Sequence, residues 1–430
     1  WQTLLFFCSH LFFLYYICHQ KETHKIPVVF FLLMVVVLYQ CTDDKKSASS
    51  SADQSTTALQ SGEELAKIYC ASCHLYPTPD LLDKKTWTNF VLIRMGSFMG
   101  IYQNANGSGY VSTISDQWLE PGVGGQGVKA ANVYPNQAIV TIPEWEKIID
   151  FYIKNAPDQL PKVQMKVIKV GIPFFKSRRF NQQKNLVPLV QSMAVDEVNK
   201  VVYAAEYKGG IYKFDNKGKQ LGEFKAKGHI VEMKATKDEF LFLDMASRYA
   251  SDDPKGAFYT AKSFEDLTKK RIEISANKLM RPVDFSIGDL TGNQKEDGNY
   301  ERHEIFKDDG TIKSEITDLN NDGKNDIIAL KGNSGEGIDW YLNEGDGNFK
   351  RERKLHFPPT NGSTHFQLID FDKDGVEDLL YSNGDNGDDT PIVKPYHGIH
   401  FFLNKNGEYK EEFFIPLNGA SIKQKPLILI

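Results

Sequence analysis

Cysteine is scarce in this chain: there are five among 430 residues, and none follows Cys73. The rest of the sequence therefore has no disulfide framework, whichever compartment holds it. An excess of charge is also lacking, because 51 Lys and Arg stand against 56 Asp and Glu, a net charge of −5. Such a mild balance argues against nucleic acid as the main partner. The length allows two or three domains with real cores.

The last two cysteines belong to one short motif, Cys-Ala-Ser-Cys-His, at residues 70–74. Its C-x-x-C-H spacing is that of covalent c-type haem attachment. Cys70 and Cys73 would form thioethers with the two porphyrin vinyl groups, and His74 would ligate the iron. A zinc site is disfavoured, because it takes about four ligands and the next histidine is His229. A plain disulfide between the two cysteines remains an alternative.

Helical patterns flank this motif on both sides. Helices are predicted to start near Ser61, at Lys84 and near Thr141, and the first and last begin with capping boxes. The last one carries apolar residues at helical spacing. Together with the motif, residues 61–157 resemble a small class I cytochrome c domain. The resemblance implies an all-α domain that holds haem c and transfers electrons.

The same resemblance implies a methionine as the second axial ligand of the iron, which raises the reduction potential. Residues 75–157 contain no histidine, and their only methionines are Met95 and Met99. We favour Met95, because a helix is expected to end there and Gly96 gives the backbone freedom for a close approach to the porphyrin. Met99, next to Gly100, is the alternative.

The N-terminal region contains an apolar run, residues 26–39, that follows basic residues and precedes Cys41. Its length fits the apolar part of a signal peptide better than a membrane span. The region resembles a bacterial lipoprotein leader, residues 1–41, within which residues 1–24 are upstream sequence. That implies lipidation of Cys41 and an exported protein anchored to a bacterial membrane, periplasmic or at the cell surface. The alternative is a pair of membrane segments, 1–18 and 26–39.

Composition divides the remaining chain. Residues 42–60 are small and polar and are predicted to be a flexible tether. Residues 158–185 are interpreted as a linker. From residue 186 onward, short apolar runs alternate with turns, for example at 201–205 and 210–214. This rhythm predicts an antiparallel all-β domain over residues 186–430.

A nine-residue motif recurs within this β region. It has oxygen-bearing side chains at positions 1, 3, 5 and 9 and glycine at position 6, the pattern of a compact calcium loop, with position 7 offering its carbonyl oxygen. The first copy comprises Asp318, Asn320, Asp322, Lys324 and Asp326, and the second comprises Asp370, Asp372, Asp374, Val376 and Asp378. A degenerate copy comprises Asp289, Thr291, Asn293 and Asp297 and predicts only weak calcium binding.

A later turn repeats as well, since residues 340–349 match residues 401–409. With the loops, it resembles FG-GAP (VCBS-type) repeats, which implies a β-propeller of four-stranded blades with calcium loops. At about 40–50 residues per blade, residues 186–430 allow roughly five blades. The first two loops start only 29 residues apart, which is too short for a whole blade. The sequence therefore predicts an incomplete propeller.

The combination predicts an exported, membrane-anchored cytochrome that transfers electrons to a redox partner protein or a membrane electron-transport component. The propeller would be a docking or recognition module for a protein or a carbohydrate. One alternative is a quinone-dependent sugar or alcohol oxidoreductase that passes electrons to its own haem. Another is a binding module with a structural haem. The histidines of residues 186–430 are scattered without a catalytic constellation, so an electron carrier is favoured over a catalyst.

Overall fold

The structure is a computed structural model that describes residues 2–8, 60–104, 109–112, 134–135, 137–163, 189–236, 239–247, 254–269, 273–292, 304–306, 310–384 and 392–417. The chain divides into two units, residues 1–13 with 61–430, and residues 14–60. All elements below belong to the first unit. Cys41, the tether before residue 60 and most of the predicted linker lie outside the described residues.

The first and the last helix of the helical region each begin with one of the two predicted capping boxes. The side chains of Ser61 and Thr141 each accept a hydrogen bond from the backbone N–H of a glutamate three residues later. Because each glutamate also bonds back to its cap, both helix starts are satisfied locally. The elements are α1 (Gly62–Tyr69), 3-10 turns at Cys70–Ser72 and Pro79–Leu81, β2 (Tyr102–Gln103), β3 (Tyr110–Val111) and α4 (Ile142–Asn155).

Helices α1 and α4 pack closely, at Gly62. A Cβ atom there would lie 2.1 Å from the carbonyl oxygen of Lys147 in α4, so glycine is required for the approach. The core of this region contains three buried aromatic side chains, Trp87, Trp145 and Tyr152. The rings of Trp87 and Tyr152 have centroids 4.4 Å apart. The helical region thus has an apolar core of its own.

The second helix is longer than the sequence predicts, and its hydrogen-bonding pattern changes along its length. It runs as α2 (Lys84–Thr86), a π-helical stretch (Trp87–Val91) and α3 (Leu92–Phe98). The expectation that it ends at Met95 is wrong, because Gly96 continues the helix and packs against the Trp145 ring. The glycine with a left-handed backbone is Gly100, whose φ is 77°. The helix therefore ends at Phe98, with Met99 as its C-cap, rather than at Met95.

Four antiparallel sheets of four strands form the β region, and in each sheet the strands follow chain order. Blade 1 contains β4 (Val190–Asp196), β5 (Val201–Glu206), β6 (Gly210–Asp215) and β7 (Gln220–Lys225). Blade 2 contains β8 (Ile230–Ala235), β9 (Phe240–Asp244), β10 (Gly256–Ala261) and β11 (Glu273–Leu279), with a short helix α5 (Phe264–Thr268) before its last strand. Blade 3 contains β13 (Thr311–Thr317), β14 (Asp326–Lys331), β15 (Gly337–Gly345) and β16 (Asn348–His356). Blade 4 contains β17 (Ser363–Ile369), β18 (Asp378–Asn383), β19 (Gly398–Lys405) and β20 (Glu408–Pro416).

The expected count of about five blades is corrected to four complete blades within the part of the chain that the structure describes. The remaining strand, β12 (Pro282–Asp289), precedes the degenerate loop as β13 and β17 precede theirs. Its partner is β1 (Gln2–Cys8), in an antiparallel pair. Among the described residues, β12 is thus the first strand of a blade without the other three. This explains why the first two loops lie so close together in the sequence.

Apolar side chains fill the spaces between neighbouring blades. One cluster joins blades 1 and 2 around Phe240, and another joins blades 3 and 4 around Trp340 and Tyr381. The helical region also touches blade 4, because the Tyr396 hydroxyl donates to the carbonyl oxygen of Leu81 at 2.9 Å. The propeller core therefore lies between sheets rather than within any one of them.

Candidate functional site

The two full calcium-type loops occupy the same place in neighbouring blades. The blade-3 loop, residues 318–326, and the blade-4 loop, residues 370–378, each connect the first strand of a blade to the second. The sixth residue is Gly323 in one and Gly375 in the other, with φ of 84° and 87°. Only glycine adopts this backbone without cost, which explains why the motif has glycine there.

Each loop wraps around its first aspartate. In the blade-3 loop, Asp318 accepts hydrogen bonds from the backbone N–H of Asp322 at 3.1 Å and of Gly323 at 2.8 Å. In the blade-4 loop, Asp370 accepts one from Gly375 at 3.2 Å. Such loops bring successive acidic side chains together, as a single cation requires.

Three carboxylates converge in the blade-4 loop. Oxygen atoms of Asp370, Asp372 and Asp374, which are exposed, all lie within 4.8 Å of one another. In the blade-3 loop, Asn320 replaces the second of these aspartates with an amide oxygen. Calcium prefers hard oxygen donors, typically about six to eight of them, so the donor sets fit this ion once carbonyl oxygens and water complete them.

The ninth residue of each loop has a different environment. Asp326 and Asp378 are fully buried. Asp326 accepts the backbone N–H of Leu319 at 3.0 Å and of Asn343 at 2.7 Å, and Asp378 makes the equivalent bonds at 3.1 Å and 2.8 Å. Burial raises the pKa of Asp326, and these two bonds oppose the shift. Calcium ligation by either residue stays a prediction, while their anchoring of the loop to the third strand was not predicted.

The degenerate loop is only partly described. Asp289 accepts hydrogen bonds from Thr291 N at 3.0 Å, Thr291 Oγ1 at 3.1 Å and Gly292 N at 2.8 Å, all on one carboxylate oxygen. Asn293 and Asp297 lie outside the described residues. The predicted weak calcium site there stays a prediction.

The C-x-x-C-H motif lies at the C-terminal end of α1. Cys70 is buried and Cys73 is exposed, and the two thiols do not form a disulfide. Burial raises the pKa of the Cys70 thiol to about 11. Nδ1 of the half-buried His74 lies 3.0 Å from the carbonyl oxygen of Leu75. A proton shared along that contact leaves Nε2 as the free imidazole nitrogen, the arrangement expected of a metal-ligating histidine.

Two buried aromatic side chains hold the backbone that follows the motif. The Tyr152 hydroxyl donates to the carbonyl oxygen of Pro77 at 2.7 Å, and Trp87 Nε1 donates to that of Pro79 at 2.8 Å. Trp145 is also buried in this core, and its Nε1 has no hydrogen-bond partner among the described residues. A free buried donor of this kind suits a core that accommodates a polar edge of a prosthetic group. The sequence showed these aromatics only as core residues.

Both candidate methionines pack into the core that contains Cys70. Met99 is buried and Met95 is partly buried. Since Gly96 is held by its packing within α3, the freedom that favoured Met95 is absent. Met99 precedes Gly100 at the helix end, so the choice between the two is open to experiment.

A buried polar cluster lies between blades 3 and 4 and was not predicted from the sequence. Glu336, nearly fully buried, accepts hydrogen bonds from Gly362 N at 3.1 Å and Ser363 Oγ at 2.9 Å. Ser363 Oγ also lies 2.8 Å from the Tyr381 hydroxyl. Burial raises the pKa of Glu336 to about 8, while its hydrogen bonds and the positive charge of Lys394 act the other way. These residues come from separate elements, and no short motif marks them.

Two histidines of blade 4 make hydrogen-bond contacts with the surrounding fold. His397 is buried, and its Nε2 lies 3.2 Å from the carbonyl oxygen of Thr360. His400 Nδ1 lies 2.8 Å from a carboxylate oxygen of Glu411 on the neighbouring strand. Both rings are thus engaged by hydrogen-bond contacts within the fold.

Comparison with known proteins identifies an FG-GAP-like repeat at residues 318–381, which covers the loops of blades 3 and 4. The chain thus contains this repeat within a four-bladed β-propeller arrangement. No curated protein matches the chain. Within the described residues, no helix is both long and apolar enough to span a membrane.

Two solved structures are similar in part. Hydrazine synthase of Kuenenia stuttgartiensis is 13% identical with a TM-score of 0.25, and the match covers 53% of this chain and 54% of that one. The chain thus spans about half the length of that protein. The computationally designed Ika4 protein is 12% identical with a TM-score of 0.20, over 49% of this chain and 94% of its own.

Proposed function

We propose that this protein is a c-type cytochrome that transfers single electrons and uses its propeller as a docking module. The observation that carries the proposal is the C-x-x-C-H motif at the end of α1, with His74 Nδ1 beside a backbone carbonyl. The test is a reduced-minus-oxidised spectrum of protein made in a strain with c-type maturation. Haem absorbance that stays with the denatured chain supports the proposal, and its absence contradicts it.

When bound, haem c supplies a reversible one-electron change at iron. In this chain, Cys70 and Cys73 would hold the porphyrin and His74 would ligate the iron. Tyr152 fixes the backbone just after the motif through the Pro77 carbonyl, which limits movement of the histidine. The apolar core contains Cys70, and burial of one edge of the porphyrin there would be one of the means by which the protein tunes a haem potential.

The propeller half of the proposal rests on the FG-GAP-like repeat. Propellers present loop-rich faces on a rigid frame, which suits docking of a redox partner protein, a membrane electron-transport component or a carbohydrate. Calcium in the blade-3 and blade-4 loops would stiffen that frame. Its role here is structural rather than catalytic.

Calcium is expected to stabilise the propeller, because an ion that binds only the folded state raises stability by mass action. A chelator should lower the melting temperature of the protein, and added calcium should restore it. Asp322→Ala and Asp374→Ala should each reduce this response. An unfolding curve that changes with neither chelator nor calcium contradicts the expectation. Of the three loops, the one at residues 289–297 should contribute least to the stabilisation by calcium.

The sixth ligand can be assigned with a pair of matched variants. If Met95 is the ligand, Met95→Ala should abolish the sulfur-to-iron charge-transfer absorption and lower the reduction potential. Met99→Ala should then leave both largely unchanged. The reverse pattern assigns Met99, and no effect from either variant indicates that neither sulfur binds the iron.

Membrane anchoring is expected to depend on Cys41, because the apolar run before it resembles a lipoprotein leader. Cys41→Ser should leave the protein unprocessed or release it into the soluble fraction. Cell fractionation and the mass of the mature N-terminus measure this outcome. Unchanged anchoring with an intact N-terminus would favour the pair of membrane segments instead.

A further inference from the structure

The blade-3 and blade-4 loops share the same anchor on the third strand of their blades. Asn343 N donates to Asp326 at 2.7 Å, and Asn404 N donates to Asp378 at 2.8 Å. The side-chain amides of the two asparagines donate to the backbone carbonyl of the eighth loop residue, at 2.9 Å and 3.1 Å. The residue that follows each asparagine therefore occupies the same sequence position relative to its loop.

The two equivalent residues carry opposite charges. In blade 4 the residue is Lys405, and its ammonium lies 2.7 Å from Asp372 and 2.6 Å from Asp374. Those are two of the three carboxylates that converge there. In blade 3 the equivalent residue is Glu344, which is exposed. The lysine of the blade-3 loop, Lys324, instead directs its ammonium to the carbonyl oxygen of Asn343 at 3.4 Å.

We propose that Lys405 sets the cation affinity of the blade-4 loop by acting as an internal cation that competes with calcium. The inference rests on the calcium part of the proposed function. Its ammonium contacts the carboxylates that would bind the ion, so calcium must displace it or bind against its charge. Glu344 carries a negative charge at the same sequence position of blade 3, where the pairing of β15 with β16 shifts register.

Isothermal titration of the full-length chain with calcium tests this, one loop at a time. With the blade-3 loop disabled by Asp322→Ala, adding Lys405→Met should tighten the remaining calcium site by about tenfold, because a charge in direct contact is removed. With the blade-4 loop disabled by Asp374→Ala, adding Glu344→Lys should weaken the remaining site by a similar factor. Circular dichroism and melting curves confirm that each variant is folded.

The matched control is Glu344→Gln, which removes a charge without supplying a cation and should weaken the blade-3 site less than Glu344→Lys does. Calcium binding to both loops with no effect of Lys405→Met overturns the role of Lys405 and leaves the calcium proposal in place. Absence of calcium binding in the unmodified chain and in every variant overturns both. Neither result bears on haem attachment, which the absorption spectrum measures separately.

Discussion

Glu336→Gln is expected to stabilise the protein at pH 8 and to have little effect at pH 4.5. The folded protein holds the pKa of Glu336 at about 8, against an ordinary value of 4.5, because the side chain is buried. The folded state therefore binds a proton that the unfolded state releases between these values, so stability falls as the pH rises through that window. With about 1.4 kcal/mol per pKa unit, stability falls by about 3 kcal/mol between pH 4.5 and pH 7, because the folded state still holds the proton that the unfolded state has released.

A glutamine keeps the carbonyl oxygen that accepts from Ser363 and removes the charge. Urea unfolding followed by tryptophan fluorescence, at several pH values, measures the difference. The exposed Glu408→Gln is the matched control and should show no such pH dependence. The charged or titratable groups facing Glu336 are Lys394 and Tyr381, and Arg353 donates to its backbone carbonyl at 3.1 Å. A variant that is less stable than the unmodified protein at pH 8 would mean that the carboxylate is ionised and paired with Lys394.

The repeating parts of the fold were predictable from the sequence. Strand β5 alternates buried and half-buried side chains between turn residues, and the loop motif carries its own spacing. These are local signals, set by the period of the strand and by the backbone that glycine allows. Because β13, β14 and β15 follow one another in chain order within one sheet, local signals also give the topology of a blade.

The count of blades depended on contacts distant in the sequence. β12 looks like the start of a blade, yet its partner in the structure is β1, about 280 residues earlier. The cluster around Glu336 was not predicted for the same reason, because Ser363 and Tyr381 become its neighbours only when blades 3 and 4 pack together. The helix end expected at Met95 was wrong for a different reason, because a glycine in sequence does not reveal whether its freedom is used or its small size is packed against a ring.

Asp378→Ala is expected to destabilise the propeller far more than Asp374→Ala when a chelator is present. The two residues belong to one loop motif, but Asp378 is fully buried while Asp374 is exposed. The Asp378 carboxylate accepts the backbone N–H of Phe371 and of Asn404. Removing it leaves two donors without their acceptor, at a cost of about 1–3 kcal/mol for each buried unsatisfied group. A total loss of about 3 kcal/mol follows for the alanine variant.

The chelator matters because it separates anchoring from calcium binding. Without calcium, Asp374→Ala should change the urea midpoint little, since its partner Lys405 is also exposed and surface ion pairs contribute at most about 1 kcal/mol. Asp326→Ala, the same change in blade 3, should repeat the large loss because its two bonds are equivalent. Equal losses for Asp378→Ala and Asp374→Ala would show that the buried carboxylate is no anchor. Losses that appear only with calcium present would return Asp378 to the role of an ion ligand alone.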